Sequence, residues 1–372
     1  MYSPVAEIRL DRLIRNFLRI KAQVGDAVMM PVVKANGYGH GAVQVSRALQ
    51  GKGAGFFGVF TVGEALELRE NGIEGDIFIF SRMTEDALSP AVEHDLTLNI
   101  SWPDDVDTLI RFIGKNRRSP KVHLKVDTGM TRLGVPMEQT EAVVKRLAQH
   151  PEINLEGIYS HLATADEGDP AYANLQIDRF ARIIDMATAM NMSLKYIHIA
   201  NSGAVLDLPQ SYFNMVRVGM LMYGAFPSDE TAEGIEVEPV MNFKGPVVVV
   251  RRVKAGTPIS YGKVYRPDRD AYIGVIQTGF ADGFPRNWYE RGYVGFKGKT
   301  YRIAGRVCMD QLMVDFRDDQ PDEGEEVLFF GDDGENRIRL EEIARDIGST
   351  PYVLMTGIGG RTERVYEGSE SS

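Results

Sequence analysis

The sequence predicts an α/β fold, with an N-terminal (β/α)8 TIM-type barrel followed by a C-terminal domain made mostly of β-strands. Between about residues 27 and 225, short apolar runs alternate with longer amphipathic segments. After about residue 236 the chain becomes strand-like and turn-rich. We therefore assign residues 1–235 to the barrel and residues 236–372 to the β domain. About the first ten residues are able to pair with the β domain.

Eight apolar runs are predicted to be strands, because each is rich in β-branched or aromatic residues and is bounded by turn-forming residues. The runs are AVMMPVVKA, GFFGVFT, DIFIFS, LTLNIS, VHLKVDT, LEGIYSHL, YIHIAN and MVRVGMLMYG. Most segments between them have apolar residues at a spacing near 3.6, which predicts helices. Alternating strands and helices favour a barrel. A doubly wound open sheet is the alternative, because strand number does not separate the two.

In the second region, strand signals occur in PVVVVRRVKAGTPISYG, AYIGVIQTGF, YVGFKGKTYRIAGRVCMDQLMVDF and EEVLFFGDDG. A short helix is predicted near LEEIARDIG. This part of the chain is therefore expected to form a separate unit of β-structure.

The composition, with 44% hydrophobic and 25% charged residues, is that of an ordinary globular protein. The net charge is −10 and the pI is about 5.3, so nucleic acid and anionic membranes are disfavoured as partners. The charged N-terminal stretch lacks the apolar core of a signal peptide. Cys308 is the one cysteine, which excludes an intrachain disulfide. We therefore expect a cytoplasmic protein.

Lys34 lies in PVVKANGYGHG, at the end of the first predicted barrel strand. Active sites of such barrels lie at the C-terminal ends of the strands. A lysine between hydrophobic walls can have a lowered pKa and act as a nucleophile toward an aldehyde. The following glycine-rich turn lets backbone approach a ligand. A strand-ending lysine that points to solvent is the alternative.

A phosphate site is predicted at Asn201 and Ser202, which follow the run YIHIAN and can open a helix. Backbone N–H groups and a serine hydroxyl at a helix N-terminus bind phosphate well, although Ser202 could also be an ordinary capping residue. Arg217 lies inside the last apolar run. An arginine there is costly unless it is paired or faces a ligand.

Three charged residues, Lys125, Asp127 and Arg132, follow one another at the end of the fifth predicted strand. Arginine can hold a substrate carboxylate with two parallel hydrogen bonds, and a salt-bridged loop is the alternative. In the β domain, Tyr261 lies in ISYG, a context that favours a tight, exposed placement over the more usual buried tyrosine. The six histidines have no metal-ligand spacing, so no metal is expected.

Together these motifs resemble those of the alanine racemase family, which are barrel-type (fold type III) pyridoxal-phosphate enzymes. The resemblance covers nearly the full chain, and its motifs occur in the family's order. The motifs are VVKANGYGHG, HLKVDTGMTRLG, SHLATAD, HIANSGA, RVGMLMYG, ISYG, GFADGFPR and GRVCMDQ. One such match would be weak, whereas eight in order leave little room for chance.

The resemblance implies an isomerase that interconverts L-alanine and D-alanine with pyridoxal 5′-phosphate, as a homodimer that supplies D-alanine for peptidoglycan. Lys34 would hold the cofactor and act as one base, and Tyr261 of the other subunit would act as the second. Arg217 would hydrogen-bond the pyridine nitrogen. The phosphate would be held by Tyr38, Ser202, the backbone of Gly219 and Tyr352, with Asn201 nearby.

The resemblance also implies substrate and supporting residues. Arg132 and the backbone of Met309 would receive the substrate carboxylate. Lys125 matches a lysine that is carbamylated in some members, where it orients the arginine. The remaining supporting residues would be His161 beside Tyr261, Asp166 and Arg306 at the entrance, and Asp310 in GRVCMDQ.

The chemistry explains the two bases. Racemisation removes a proton from one face of Cα and returns one to the other face, which two groups on opposite faces can do without turning the substrate. Lysine and tyrosine have reference pKa values near 10. To act as bases at neutral pH, each must have its pKa lowered or must be coupled to the other. Arginine does not readily give up a proton, so the ring nitrogen facing Arg217 is expected to stay unprotonated.

The sequence departs from the family pattern in a few places. Phe280 and Phe284 stand where tyrosines are common, and Val218 replaces a frequent proline. The acidic residue usual after Tyr352 is absent. These differences bear on the entrance and on the substrate range.

Three alternatives are weighed against an alanine racemase. The nearest is a racemase for serine or one of broad specificity. A non-catalytic pyridoxal-phosphate-binding barrel protein would lack the β domain and the Tyr261 motif, and a barrel decarboxylase would carry a C-terminal cysteine motif that is not found here.

Overall fold

The computed structural model describes residues 2–228, 230, 231 and 234–368. The strands in the first part of the chain are β1 (Val5–Arg9), β2 (Val28–Pro31), β3 (Phe56–Val59), β4 (Asp76–Ile79), β5 (Leu96–Ile100), β6 (Lys121–Asp127), β7 (Val135–Pro136), β8 (Asn154–Tyr159), β9 (Tyr196–His198) and β10 (Met215–Val218). The helices there are α1 (Leu10–Val24), α2 (Lys34–Tyr38), α3 (Ala42–Gln50), α4 (Val62–Glu70), α5 (Glu85–Glu93), α6 (Asp104–Asn116), α7 (Met137–Ala148), α8 (Ala171–Ala189) and α9 (Ser202–Asp207).

The second part of the chain is mostly β-structure. Its strands are β11 (Met241–Val253), β12 (Ala271–Ile276), β13 (Tyr293–Phe296), β14 (Lys299–Ile303), β15 (Leu312–Arg317), β16 (Glu326–Asp332), β17 (Arg337–Ile338) and β18 (Glu363–Glu367). Two helices, α10 (Leu340–Ile347) and α11 (Pro351–Gly357), follow β17. Short 3-10 turns are formed by Pro209–Ser211, Met220–Tyr223, Tyr261–Lys263, Phe280–Asp282 and Arg286–Glu290.

Eight parallel strands form a barrel in the order β2-β10-β9-β8-β6-β5-β4-β3. The two ends of this order meet in a parallel bridge between Val32 and Gly58. The amide of Val33 donates to the carbonyl oxygen of Gly58 at 2.8 Å across the same seam. Because the first and last strands join, the sheet is a closed barrel, which confirms the predicted fold over the doubly wound alternative.

The β domain contains a sheet in the order β17-β16-β13-β14-β15-β12-β11-β1-β18, with a further pairing of β16 with β11. Strand β1 precedes the barrel in sequence but pairs antiparallel with β11 and parallel with β18. The chain therefore starts in the β-domain sheet, enters the barrel through α1, and returns at β11. The helix predicted near LEEIARDIG is α10.

Some elements were not anticipated from the sequence. Helices α1 and α11 lie where no helix was predicted. Phe284, considered in connection with the entrance, is instead buried in the β-domain core, where its ring centroid lies 4.9 Å from that of Phe329. No helix among the described residues combines the length and the apolar character needed to cross a membrane.

Asn16 ties α1 to the segment that connects the two domains. Its side chain is fully buried. The amide nitrogen donates to the carbonyl oxygens of Met222 (3.1 Å) and Glu238 (2.8 Å), and the amide oxygen accepts the Glu238 N–H at 2.9 Å. One side chain therefore satisfies three backbone groups that would otherwise lack partners.

We expect Asn16→Leu to lower the free energy of unfolding by about 2–4 kcal/mol, because it keeps the volume but leaves buried backbone groups unpaired. Thermal and urea unfolding of the purified protein would measure the loss. Asn116→Leu is the matched control, since Asn116 is exposed at the end of α6. Equal stabilities of the two variants would contradict this role of Asn16.

Candidate active site

Lys34 is positioned by an unusual backbone turn at the C-terminal end of β2. Residues 35–38, which follow it, all have positive φ, with values of 52°, 53°, 61° and 51°. Left-handed backbone costs roughly 1–2 kcal/mol for each residue other than glycine. A run of such residues persists only where the surroundings fix it, which is typical of functional sites.

Several hydrogen bonds hold this turn. The amide of Ala35 donates to the Glu64 carboxylate at 2.8 Å, and Asn36 Oδ1 accepts the amide N–H of Ala42 at 3.0 Å. The guanidinium of Arg364, from β18, donates to the carbonyl oxygen of Gly39 at 2.6 Å. Groups from the barrel and from the β domain thus converge to hold one loop.

The Lys34 amine is partly buried, with Nζ 5.7 Å from the ring centroid of Phe80. Burial lowers its pKa below the ordinary lysine value, and the positive charge of Arg132 lowers it further. A lysine in these surroundings has a larger neutral fraction than a solvated one, and only the neutral amine is a nucleophile or a base.

A polar cradle is formed by Tyr38, Ser202, Gly219 and Tyr352. Ser202 Oγ accepts the Gly219 N–H at 3.1 Å, and the rings of Tyr38 and Tyr352 lie 5.8 Å apart. A Cβ on Gly219 would lie 2.6 Å from the Tyr38 hydroxyl, so the approach of this phenol to the backbone requires glycine. Asn201, not Ser202, caps α9, because its side chain accepts the Ala204 N–H.

Burial keeps the phenols of the cradle protonated. It raises the pKa of Tyr38 above its ordinary value and that of Tyr352 to about 12. Both hydroxyls are therefore hydrogen-bond donors at neutral pH. Together with the Ser202 hydroxyl, they suit an anionic oxygen cluster.

Arg217, on β10, is buried, and it has no carboxylate partner among the residues that the structure describes. Its Nη1 donates to His198 Nδ1 at 2.9 Å, and its Nη2 donates to His161 Nδ1 at 3.1 Å. Nη2 also donates to the carbonyl oxygens of Ser160 and Ile199. Burial lowers the Arg217 pKa to about 10, so the guanidinium still carries its charge at neutral pH.

These contacts fix the protons on both histidines. Because Nδ1 of His161 and of His198 accepts from Arg217, each ring carries its proton on Nε2. Burial and the Arg217 charge hold the pKa of both rings well below the ordinary value. His198 Nε2 in turn donates to His123 Nδ1 at 2.9 Å. Arg217 is thus the charged end of a chain of neutral imidazoles.

Lys125 and Arg132 approach the same region from β6 and the loop after it. Burial lowers the pKa of Lys125 to about 7, and the charges of Arg217 and Arg132 contribute. The loop is held by Asp127, whose carboxylate accepts the N–H groups of Gly129 and Thr131, each at 3.0 Å. Within the described part of the chain, the exposed Arg132 guanidinium takes part in no hydrogen bond or ion pair, so it can receive an anion.

Tyr261 lies apart from these residues, on the surface of the β domain. Its side chain is 67% exposed and makes no hydrogen bond or ring contact with the residues that the structure describes. The preceding Ser260 has a φ of 62°, and its hydroxyl donates to the carbonyl oxygen of Arg306 at 2.6 Å. The exposed placement matches the expectation from ISYG.

The other predicted residues divide between the two domains. Met309 is 56% exposed in the β domain, and Asp310 beside it forms an ion pair with Arg361 at 2.9 Å. Asp166 is partly buried at the barrel end, where burial raises its pKa and its charge in turn raises that of Tyr352. Asp166 thus lies near the cradle, whereas Met309 and Asp310 lie in the β domain.

Two family models match nearly the whole chain. The model described as alanine racemase, N-terminal domain, matches residues 8–227. The model described as alanine racemase, C-terminal domain, matches residues 240–366.

The chain belongs to the alanine racemase family.

Individual relatives agree with the family models. The chain is 38% identical over 363 residues to alanine racemase 2 of Caldanaerobacter subterraneus subsp. tengcongensis, covering 97% of this chain and 94% of the relative. The solved alanine racemase of Clostridium difficile 630 is 32% identical, with a TM-score of 0.91 and coverage of 99% of this chain and 96% of that one. A Bartonella henselae alanine racemase, solved with covalently bound pyridoxal phosphate, is 25% identical, with a TM-score of 0.89 and coverage of 99% and 100%. The expected enzyme class, an isomerase, is confirmed.

The sequence reasoning named His161 but missed the other two histidines behind Arg217, His123 and His198. These two were considered only as metal ligands, and their spacing excluded that use. A signal was nevertheless present, because His123 and His198 each lie within an apolar barrel strand. A Cβ on Gly157, in the strand between them, would lie 3.0 Å from the His123 ring. Glycine in that strand therefore makes room for an inward-facing imidazole in this racemase-family barrel.

The Lys125 pKa predicts a pH dependence of stability. The folded value of about 7 lies below the ordinary 10.5, so between these values the unfolded chain binds more protons. The free energy of unfolding should therefore rise with pH above about 7, by up to ~1.4 kcal/mol per pH unit.

Melting temperatures of wild type and Lys125→Met, measured from pH 6 to 9, would test this. The wild type should gain stability relative to the variant as the pH rises. Lys254→Met is the control, because Lys254 has an 87% exposed side chain and should leave the rise intact. Parallel curves for wild type and Lys125→Met would show that Lys125 does not titrate near neutral pH.

Proposed function

We propose that this chain interconverts L-alanine and D-alanine with pyridoxal 5′-phosphate as its cofactor. The observation that carries the proposal is the arrangement around Lys34. A partly buried amine with a lowered pKa lies on the same barrel end as the polar cradle and as a buried arginine that hydrogen-bonds to imidazoles. Membership of the alanine racemase family supports the choice of substrate and cofactor.

The residues present fit this cofactor. Gly219 leaves the space that a Cβ would fill beside the Tyr38 hydroxyl, and Ser202 lies within hydrogen-bond distance of the same backbone. We assign binding of the phosphate to Tyr38, Ser202, Gly219 and Tyr352. Asn201 supports this site by capping the N-terminus of α9. Lys34 would hold the aldehyde carbon, and Arg217 would face the ring nitrogen. The Bartonella relative binds pyridoxal phosphate covalently, in agreement with this assignment.

When bound, pyridoxal phosphate supplies a covalent link to the substrate amine and a ring that withdraws electrons from Cα. The protein then has to move a proton between the two faces of that carbon. We assign Lys34 Nζ to one face, where its lowered pKa favours the neutral amine that a base needs. We assign the Tyr261 hydroxyl to the opposite face, so that one base removes the Cα proton from L-alanine and the other removes it from D-alanine.

Arg217 limits the reaction to proton transfer. The guanidinium, held by two imidazoles and two carbonyl oxygens, carries donors only. A ring nitrogen that faces it can accept a hydrogen bond but cannot gain a proton from it. The weaker electron withdrawal that results restrains side reactions such as transamination.

His161 is suited to activate Tyr261. Its Nδ1 accepts from Arg217, which leaves the proton on Nε2. A donor aimed at a phenolic oxygen stabilises the deprotonated form and lowers the phenol pKa. We propose that the partner subunit places Tyr261 against this imidazole, because the tyrosine of the same chain lies on the exposed surface of the β domain.

A two-fold homodimer with two shared active sites follows from this assignment. The exposed apolar side chains of Tyr261, Val264 and Met309 in the β domain support it, since such residues are often covered in an assembly. The partner would bring Met309, whose amide would receive the substrate carboxylate together with Arg132. The partner subunit would also contribute Arg306 and Asp310, which would lie opposite Asp166.

Lys125 is suited to orient Arg132. With a pKa of about 7 and little exposure, it has a neutral amine available for reaction with carbon dioxide. The neutral amine would add to carbon dioxide and release one proton to solvent, and the charges of Arg132 and Arg217 would stabilise the carbamate anion that forms. The metabolic role that we propose, supply of D-alanine for peptidoglycan in the cytoplasm, rests on family membership.

Chiral chromatography tests the proposed reaction. The purified protein, with added pyridoxal phosphate, should convert L-alanine and D-alanine separately to the same near-equal mixture. Lys34→Ala should abolish conversion, whereas Lys254→Ala, a change at an exposed lysine, should not. If neither enantiomer changes while a yellow lysine-bound cofactor is present, alanine is the wrong substrate, and serine and the basic amino acids should be tested next.

The shared site predicts complementation between inactive chains. Lys34→Ala and Tyr261→Ala homodimers should both be inactive, whereas a hybrid dimer should contain one site that has both bases. Mixing differently tagged variants and purifying the doubly tagged dimer should recover about half of the wild-type activity for each dimer. Verified hybrids without activity would contradict a Tyr261 that acts across the interface.

A further inference from the structure

One face of helix α8 contacts the segment that follows β6 at the C-terminal end of the barrel. Tyr172, Gln176 and Arg179 are spaced by four and three residues, so their side chains lie on the same face of the helix. All three donate hydrogen bonds to residues 128–132, which end at Arg132 and which we call the Arg132 loop. This face of α8 therefore supports the loop that carries the arginine assigned above to the substrate carboxylate.

Gln176 also contacts the segment that follows β8. Its side chain is fully buried. Nε2 donates to the carbonyl oxygen of His161 at 3.0 Å, and Oε1 accepts the Ala163 N–H at 2.8 Å. Because a backbone amide can only donate, the contact with Ala163 fixes which end of the Gln176 side chain is the oxygen. One side chain thus holds the backbone immediately after β8.

The Gln176 amide also begins a chain of hydroxyl groups that leads to β6. Nε2 donates to Thr128 Oγ1 at 3.2 Å. Thr128 Oγ1 lies 2.8 Å from Ser160 Oγ, which donates to the carbonyl oxygen of Val126 at 2.7 Å. Since the single hydroxyl proton of Ser160 goes to a carbonyl oxygen, Ser160 must accept the proton of Thr128. Every hydrogen bond of this buried chain therefore has one possible direction.

Tyr172 and Arg179 hold the backbone of the Arg132 loop. The Tyr172 hydroxyl donates to the carbonyl oxygen of Gly129 at 2.8 Å, and Arg179 Nη1 donates to that of Thr128 at 2.9 Å. A Cβ on Gly129 would lie 2.4 Å from the Tyr172 hydroxyl, so this close approach requires glycine. The loop is thus fixed at two successive carbonyl groups.

We propose that Gln176 is a positioning residue that aligns the arginine assigned to the substrate carboxylate and, at the same time, the imidazole assigned to the second base. Its bond to Thr128 fixes the start of the Arg132 loop. Its bonds to His161 and Ala163 fix the backbone from which the imidazole extends. The inference rests on the proposed function, because that proposal gives Arg132 and His161 their roles.

A backbone shift at His161 cannot be absorbed without a change at its ring. His161 Nδ1 accepts from Arg217 at 3.1 Å, and the carbonyl oxygen of Ser160 accepts from the same guanidinium at 2.8 Å. Movement of this backbone would therefore stretch the bonds to Arg217 or displace Nε2 from the Tyr261 hydroxyl. A misplacement of about 1 Å can lower a rate about 100-fold, even when its origin is far from the reacting atoms.

Initial rates of the cofactor-loaded protein with L-alanine and D-alanine test this role. Gln176→Met keeps the length of the side chain but removes its three hydrogen bonds. We expect KM for alanine to rise about fivefold and kcat to fall about tenfold, the order expected for the loss of one or two hydrogen bonds. Arg182→Met places the same side chain at an exposed position of α8 and should change neither constant.

The primary deuterium isotope effect on kcat separates positioning of the second base from a general loss of structure. Because the two bases remove the Cα proton from opposite enantiomers, slower transfer at Tyr261 raises the isotope effect for one Cα-deuterated enantiomer only. His161→Leu, which removes the imidazole, identifies that enantiomer. We expect Gln176→Met to raise the isotope effect for the same enantiomer and not for the other.

Tyr172→Phe tests the loop alone. It removes only the hydroxyl that holds Gly129, so KM should rise about threefold while both isotope effects stay at their wild-type values. The partly exposed position of Tyr172 favours a folded variant. If Gln176→Met does not fold, Gln176→Glu takes its place, since it keeps the acceptor for Ala163 and loses the N–H donors. The same one-sided rise of the isotope effect is expected.

Unchanged KM and isotope effects in a folded Gln176 variant would overturn the inference. Isotope effects that rise equally for both enantiomers, or only for the enantiomer that His161→Leu leaves unchanged, would also overturn it. A wild-type protein that binds the cofactor but racemises neither enantiomer would contradict the proposed function itself, and the inference with it.

Discussion

Arg217 is a buried cation on which the chemistry of the surrounding residues depends. Among the described residues its hydrogen bonds go to imidazole nitrogens and carbonyl oxygens and not to a carboxylate. Burial is the main cause that lowers the pKa values of Lys34, Lys125 and His161, and the Arg217 charge lowers all three further. The buried charge therefore adds to the burial that favours neutral amines and imidazoles around it, which is the condition that proton transfer at neutral pH requires.

The second constraint is the left-handed turn after Lys34. It stores backbone strain and is held by contacts from both domains, including the bond from Arg364 of β18 to Gly39. Because β18 also pairs with β1 in the β-domain sheet, the hydrogen bond from Arg364 connects that sheet to the loop that follows Lys34. The same segment carries Lys34 and places Tyr38 in the polar cradle. Its backbone geometry therefore positions both groups for the proposed reaction.

Much of this arrangement could be predicted from the sequence, because local patterns determine it. Alternating apolar runs predicted the barrel strands, and ISYG predicted an exposed Tyr261. Closure of the barrel could not be predicted from local patterns, because it depends on pairing between Val32 and Gly58 at the two ends of the sheet. The pair His123 and His198 behind Arg217 was missed for a similar reason. The two rings and Arg217 are far apart in sequence, and only the folded chain defines their burial and tautomers.

We propose that Arg217 keeps the cofactor ring nitrogen unprotonated while neutral bases move the substrate proton. The most direct measurement is nitrogen NMR of the protein loaded with pyridoxal phosphate labelled with 15N in its ring. We expect the chemical shift of an unprotonated pyridine nitrogen across neutral pH in wild type, and a shift toward the protonated form in Arg217→Glu. A protonated ring nitrogen in the wild-type protein at neutral pH would contradict it.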